Sequence, residues 1–402
     1  MKMVGDFFSF QNGYAFKSKD FVREGKYKIV KIKELKDGLV QFFDDTAEVD
    51  LPDNFDFDKY IIRKGDVLFA LTGDPVNKPN PLSWVGRVAY YNYDEPALLN
   101  QRVCKAIPKT DIPSDFLYYF FRQNREFYRL ASKATGSASQ ANISTKTIEQ
   151  HNINIPDVEN VKKIVTFLKN IDDNILYNNR INRNLSEQAQ AYFDELFIQN
   201  ASAEWKEGTL SDVGSIVAGG TPSKSNQEYY TDNGIAWITP KDLSVDKSAF
   251  ISHGENDITE LGLQKSSATM MPAGTVLFSS RAPIGYIAIA ANEICTNQGF
   301  KSVVPNDNVG TSYVYYLLKQ LLPTIKNMAS GSTFKEISGS AMKIVPTVIP
   351  DDETLKRFSD FCDPIMKQIQ KNEQESKRLV EIRDSLLPKL ISGELDVADL
   401  DI

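Results

Sequence analysis

The residues whose types could do chemistry are few and scattered. Cys104, Cys295 and Cys362 stand alone, and the only histidines, His151 and His253, lie about a hundred positions apart. That spacing points neither to a disulfide framework nor to a Cys/His zinc site. Ala218-Gly-Gly-Thr-Pro-Ser-Lys224 is rich in turn formers and friendly to phosphate. Its spacing is not that of a G-x-x-x-x-G-K-S/T loop, so a plain turn is the stronger reading. Glu204-Trp-Lys206 has the Glu-x-Lys spacing of nuclease metal sites, but no Pro-Asp partner precedes it at a sensible distance. Patterns for dinucleotide binding, zinc proteases, serine hydrolases and amino-methyltransferases (Asn/Asp-Pro-Pro-Tyr) are missing. The expectation is a non-catalytic chain, with no catalytic residue, no metal site and no cofactor of its own.

The elements that carry these residues are written twice. Gly65-Asp-Val-Leu-Phe69 returns as Gly274-Thr-Val-Leu-Phe278, and Val85-Gly86 returns as Ile284-Gly285. Asn100-Gln101 returns as Asn297-Gln298, and Phe116-Leu-Tyr-Tyr119 as Tyr313-Val-Tyr-Tyr316. Gly136-Ser137 with Ile143-Ser144 returns as Gly331-Ser332 with Ile337-Ser338. The offset drifts from 209 down to 194 and then holds at 194. Drift marks loops that accept insertions, whereas a constant offset marks a segment that tolerates none, as a packed helix would.

Each copy therefore divides in two. Residues 1–155 and 201–350 alternate short apolar runs with Gly/Pro/Asn turns and brief helical stretches, so each is an α+β head rich in strands. Residues 156–200 and 351–402 carry heptad seams. The first seam runs through Leu168, Ile171, Ile175, Asn178, Asn182 and Leu185, and the second through Cys362, Ile365, Ile369, Asn372, Leu379 and Leu386. Pro156-Asp157 and Pro350-Asp351 are start signals, and Ser392-Gly393 is a stop. A helix from Val161 to Leu196 would run about 54 Å at 1.5 Å per residue. The expected architecture is two α/β heads separated by two long antiparallel coiled-coil helices. Asn178, Asn182 and Asn372 would then form polar layers near the middle, either buried and register-setting or exposed in a loose coil.

The chain has 402 residues, 42% hydrophobic and 25% charged, an ordinary globular balance. Its net charge of −7 excludes a uniformly basic coat for nucleic acid. The helical pieces hold 20 acidic and 13 basic residues, which leaves 33 of each in the heads. One local basic stretch stands out in the first head, from Lys17 and Lys19 through Arg23, Lys26, Lys28, Lys31 and Lys33 to Lys36. A solvated face explains such a stretch as readily as a nucleic-acid surface. No apolar run nears the roughly 18 residues of a membrane span, and no signal peptide opens the chain, so a cytoplasmic setting is expected.

Particular words in this duplicated frame resemble one family. Asn12-Gly-Tyr-Ala-Phe-Lys-Ser18, Gly219-Gly-Thr-Pro-Ser223 and Leu386-Leu-Pro-Lys-Leu-Ile-Ser-Gly-Glu-Leu395 are similar to stretches of type I restriction–modification specificity subunits. The resemblance covers essentially the whole chain, and the order and duplication of the words make it specific. It implies two target-recognition domains, each reading one half of a split, asymmetric double-stranded DNA sequence. The helical pieces would set the spacing and dock two modification (methyltransferase) subunits. By resemblance those partners bind S-adenosylmethionine and methylate adenine. A restriction subunit, where one joins, adds ATP- and Mg-dependent translocation and cleavage. The duplicated heads and helices, taken without these words, also allow a protein-bridging scaffold.

Candidate DNA contacts are polar residues on head loops. For base readout they are Lys78, Asn80, Ser83, Trp84 and Arg87 in the first head, and Thr221, Ser223, Lys224, Ser280 and Arg281 in the second. Arginine suits guanine, and asparagine or glutamine suits adenine. Lys17, Lys19, Gln140 and Asn142, with Ser332, Thr333 and Lys335, are candidates for the phosphate backbone.

Overall fold

Val67, Leu68, Phe69 and Ala70 are all fully buried, so this stretch is an unbroken apolar run rather than an alternating one. The computed structural model, which describes residues 2–50, 57–75, 84–137, 140–331 and 335–400, shows why. The strand Val67–Ala70 lies inside a six-stranded sheet between Val88–Tyr90 and Val103–Pro108, antiparallel to both. Phe8–Asn12 pairs beyond Val103–Pro108, and Leu39–Val40 runs parallel to Val88–Tyr90 on the other side. Val67 and Phe69 pack in one cluster with Phe116 and Phe121 of the helix Ser114–Arg122. Leu68 and Ala70 pack on the opposite face with Val30, Ile62 and Leu99.

The second half repeats that order. Gly214–Ala218, Lys301–Pro305, Val276–Phe278, Ile287–Ala290 and Phe250–Ile251 form the sheet, and the last pair is again parallel. The helix Thr311–Met328 takes the place of Ser114–Arg122. Both heads are thus mixed α/β, as their sequence pattern predicts.

Two long helices follow the heads, Val158–Asp194 of 37 residues and Asp352–Ser392 of 41. The start signals work as side-chain caps. Asp157 accepts from the Asn160 N–H at 3.1 Å, and Asp351 from the Thr354 N–H at 2.8 Å. The first helix leaves through a π turn, Glu195–Gln199. The second stops at Gly393, whose φ of +77° is the left-handed conformation that a helix end commonly uses. Among the described residues, no helix is long and apolar enough to cross a membrane.

The chain falls into two units, Met1–Asp173 with Leu379–Ile402, and Asn174–Arg378. Each combines a head with lengths of both long helices. In the second unit the helices pair antiparallel: Asn182 meets Asn372, and further along Tyr192 meets Phe358 and Phe361. In the first unit Asp172 meets Arg383. Leu168, Ile171, Cys362, Ile369 and Asn372 are buried, as their seam positions predict, whereas Ile175, Asn178, Asn182, Leu185, Ile365, Leu379 and Leu386 are half-buried. Met366 and Leu387, one step beyond two seam positions, are the buried ones. A 3.6-residue helix drifts against a 3.5-residue repeat, which accounts for the shift.

Candidate nucleic-acid interface

In the first head a small three-stranded sheet gathers several candidates. Thr72–Gly73 pairs with Gln140–Asn142, which in turn pairs with Thr135–Ser137. The Thr72 hydroxyl donates to the Asn142 side-chain oxygen at 2.8 Å, which fixes that amide, while Gln140 stays exposed. A bridge between Asp74 and Trp84 continues from this sheet. Trp84 lies against Phe127 at 5.6 Å between ring centroids, and the Arg87 guanidinium sits over the indole at 5.1 Å. Arg87 is therefore held by a cation–π contact at the edge of this sheet. Trp84 anchors it, and its own indole N–H is buried with no partner among the described residues. Lys78, Asn80 and Ser83 lie outside the described residues.

The second head builds the same place differently. Arg281 bridges Glu336, which also bridges Ser330, so the segment that follows the central strand is again met here, by isolated bridges. The Glu336 carboxylate takes Arg281 at 3.5 Å and Lys301 at 3.8 Å. Burial lowers the Lys301 pKa, partly offset by Glu336. The Lys301 ammonium also donates to the carbonyls of Phe300 and Gln298. Thr221 is hydrogen-bonded to Gln298. Ser223 and Ser225 share a hydrogen bond at 2.8 Å, and Lys224 and Lys335 are exposed. Ser332 and Thr333 lie outside the described residues.

One candidate changes role. Ser280 is fully buried and its hydroxyl donates to the Gly299 carbonyl at 3.0 Å, so it positions the loop and presents nothing to a base. Lys17 and Lys19 are exposed, on and beside the short 3-10 turn Ser18–Asp20, apart from the Thr72–Asn142 sheet. The basic stretch around them is partly spoken for. Lys31 lies over the Phe21 ring at 4.2 Å, and Lys33 pairs with Asp45 at 2.8 Å.

Lys301, Glu336 and Gln298 escaped the reading from residue types alone. Gln298 carried a signal, since Asn297-Gln298 is duplicated as Asn100-Gln101. Gln101 and Gln298 are both exposed. The preceding loops press against these pairs so closely that a Cβ on Gly13 would fall 2.1 Å from the Asn100 carbonyl oxygen, and one on Gly219 would fall 1.9 Å from that of Asn297. Only glycine fits at either place.

Other reactive side chains are buried or paired. All three cysteines are buried, and burial pushes the thiols of Cys295 and Cys362 up to about 12, with that of Cys104 raised as well. His151 is buried against Phe120 and Phe121 and bound to Glu126 at 3.0 Å. Burial lowers its pKa, offset in part by Glu126. His253 pairs with Asp257 at 3.2 Å. Among the described residues no group of three or more His, Cys, Asp or Glu could hold a metal ion. The arrangement offers hydrogen-bond donors, acceptors and cations at one matching place in each head.

Residues 1–187 and 202–381 match the family described as Type I restriction modification DNA specificity domain, one match per copy. The chain belongs to that specificity family. It is 39% identical to the type I restriction enzyme MjaIX specificity subunit of Methanocaldococcus jannaschii, over 47% of this chain and 45% of that protein. That match spans about half the length of the relative. Over 84% of this chain and 88% of the other, it is 24% identical to the HindI specificity subunit of Haemophilus influenzae. The fold is similar to that of the S subunit of a type I restriction–modification system from M. genitalium. The TM-score is 0.64 at 17% identity, covering 97% of this chain and 95% of that one.

Proposed function

We propose that this chain is the sequence-choosing, DNA-binding subunit of a type I restriction–modification complex and does none of the bond chemistry itself. Each head reads one half of a split, asymmetric double-stranded DNA target. The long helices set the spacing and dock two methyltransferase subunits, and a restriction subunit can join them. S-adenosylmethionine, ATP and Mg belong to those partners. The observation that carries this reading is one matching place furnished with different side chains. Arg87 on Trp84 with Gln140 and Asn142 stands in the first head, and Arg281 with Glu336, Thr221 and Lys335 in the second. Equal scaffolds with unequal polar surfaces suit two half-sites of unequal sequence, because side-chain types select base edges while shared backbone geometry does not. Heads of zero net charge suit a subunit that shares its grip on the phosphates with partners. Membership of the specificity family favours this reading over a protein-bridging scaffold.

The test is co-expression with the methyltransferase subunit and modification-sensitive sequencing of host DNA. A split asymmetric motif methylated only when this chain is present is the expected result. A soluble complex that leaves no new methylation would overturn the reading.

A further inference from the structure

The duplication makes the two ends of the helix pair comparable residue by residue, and they differ in one respect that duplication alone would not produce. In the first unit Asp172 of Val158–Asp194 is a three-way junction. It accepts from Arg383 of Asp352–Ser392 at 2.6 Å and from the Tyr119 hydroxyl of Ser114–Arg122 at 2.9 Å, with Arg122 at 3.5 Å. Arg383 is only 7% exposed, and its Nε donates to the neighbouring Asp384 at 2.8 Å. At the constant offset of 194, Asp172 corresponds to Met366 and Arg383 to Ala189. Tyr119 corresponds to Tyr316. Met366, Ala189 and Tyr316 are buried in one apolar cluster of the second unit, and the Tyr316 hydroxyl turns to the Ser186 carbonyl and the Met366 sulfur. One copy of the layer is ionic and the other is apolar.

We infer that the Asp172–Arg383 pair decides which long helix pairs with which. The two helices share ancestry and seam spacing, so each is a near-fit for a second copy of itself. In the register observed, a first helix on another first helix would set Asp172 against Ala189. A second helix on another second helix would set Met366 against Arg383. Either arrangement strips a largely buried charge of its counter-ion across the helices, leaving Asp172 only Arg122 or Arg383 only Asp384, which is unfavourable. Only a first helix on a second satisfies both layers at once. Within one chain that partner is present at high effective concentration, so the chain closes on itself. Asp172 and Arg383 are therefore positioning residues for the helix pair, and this inference stands whatever the heads bind.

Charge complementation in the full chain tests it. Asp172→Arg and Arg383→Asp each place like charges together in their own chain. Two copies carrying different affinity tags are co-expressed, one with each change. Mixed-tag complexes should then rise about tenfold or more over a wild-type pair, because each variant supplies the other's missing charge. Asp172→Arg with Arg383→Asp in a single chain should return to unmixed single copies and recover most of the melting temperature lost by either change. If either variant is insoluble alone, rescue of solubility by the complementary copy counts as the same result. Mixed-tag complexes no more abundant than for wild type would overturn the inference. So would a double-charge-swap chain that melts no higher than the single variants.

Discussion

The Asn372 amide donates to the Asn182 side-chain oxygen at 2.8 Å across the two long helices. Asn372 is only 5% exposed and also accepts from Gln368, while Asn182 donates to the Ile369 carbonyl. Each amide is thus satisfied by the helix it faces or by its own next turn. Of the two alternatives open in the sequence, burial holds for Asn372, whereas Asn182 is half-buried. Asn182→Ala should lower the melting temperature, since leaving the buried Asn372 amide short of a partner costs about 1–3 kcal/mol. Asn182→Leu with Asn372→Leu should melt at or above wild type, because an apolar layer has no such requirement. Thermal unfolding followed by circular dichroism checks both.

Glu373 predicts a pH dependence. Its carboxylate accepts from the N–H groups of Ala249 and Phe250 at 2.7 and 3.1 Å, joining the second long helix to the edge strand of the second head. Burial pushes its pKa up to about 7 from 4.5, against the pull of those two hydrogen bonds. The folded chain therefore holds a proton that the unfolded chain has already released. Its contribution is most favourable below the unfolded value, falls as pH rises toward 7, and levels off above. Between pH 5 and pH 8 the melting temperature of wild type should fall more steeply than that of Glu373→Gln. Parallel curves would assign the slope to other groups.

Exchanging residues 1–155 for the corresponding head of another family member should replace one half of the methylated motif and leave the other unchanged. Sequencing of modified host DNA reads this directly. A change in both halves would mean that the heads do not read independently.

Arg87 and Lys335 should fail in different ways. Arg87→Ala should weaken DNA binding by about 1–3 kcal/mol and relax preference at one position of one half-site, as loss of a base contact does. Lys335→Ala should weaken binding to all sequences alike and reduce the salt slope by about 1. Fluorescence anisotropy of the assembled complex across a salt series separates the two.

Much of this fold is readable from residue order, because its strongest signals are local. Asp157 and Asp351 cap helices three residues away, and Gly393 ends one at the position where a left-handed residue is wanted. The constant offset of 194 marks the segments where the two helices pair. What escaped depends on residues far apart. Arg383 interrupts an apolar seam, and its reason is Asp172, 211 positions earlier and outside the seam. Ser280 reads as an exposed loop serine, yet Phe300 and Gly299 fold over it. Lys301 stands where the first head has Cys104, so an apolar strand position became a buried cation only because Glu336 returns beside it.

The burial of Cys104, Cys295 and Cys362 has a practical side. With their thiols inaccessible and held protonated at neutral pH, the native chain should be nearly silent to maleimide dyes and spin labels. A single cysteine introduced at an exposed position such as Lys224 or Gln140 would then carry the only reactive label. Distances from the heads to DNA or to partner subunits could be followed without first removing a native cysteine from the core.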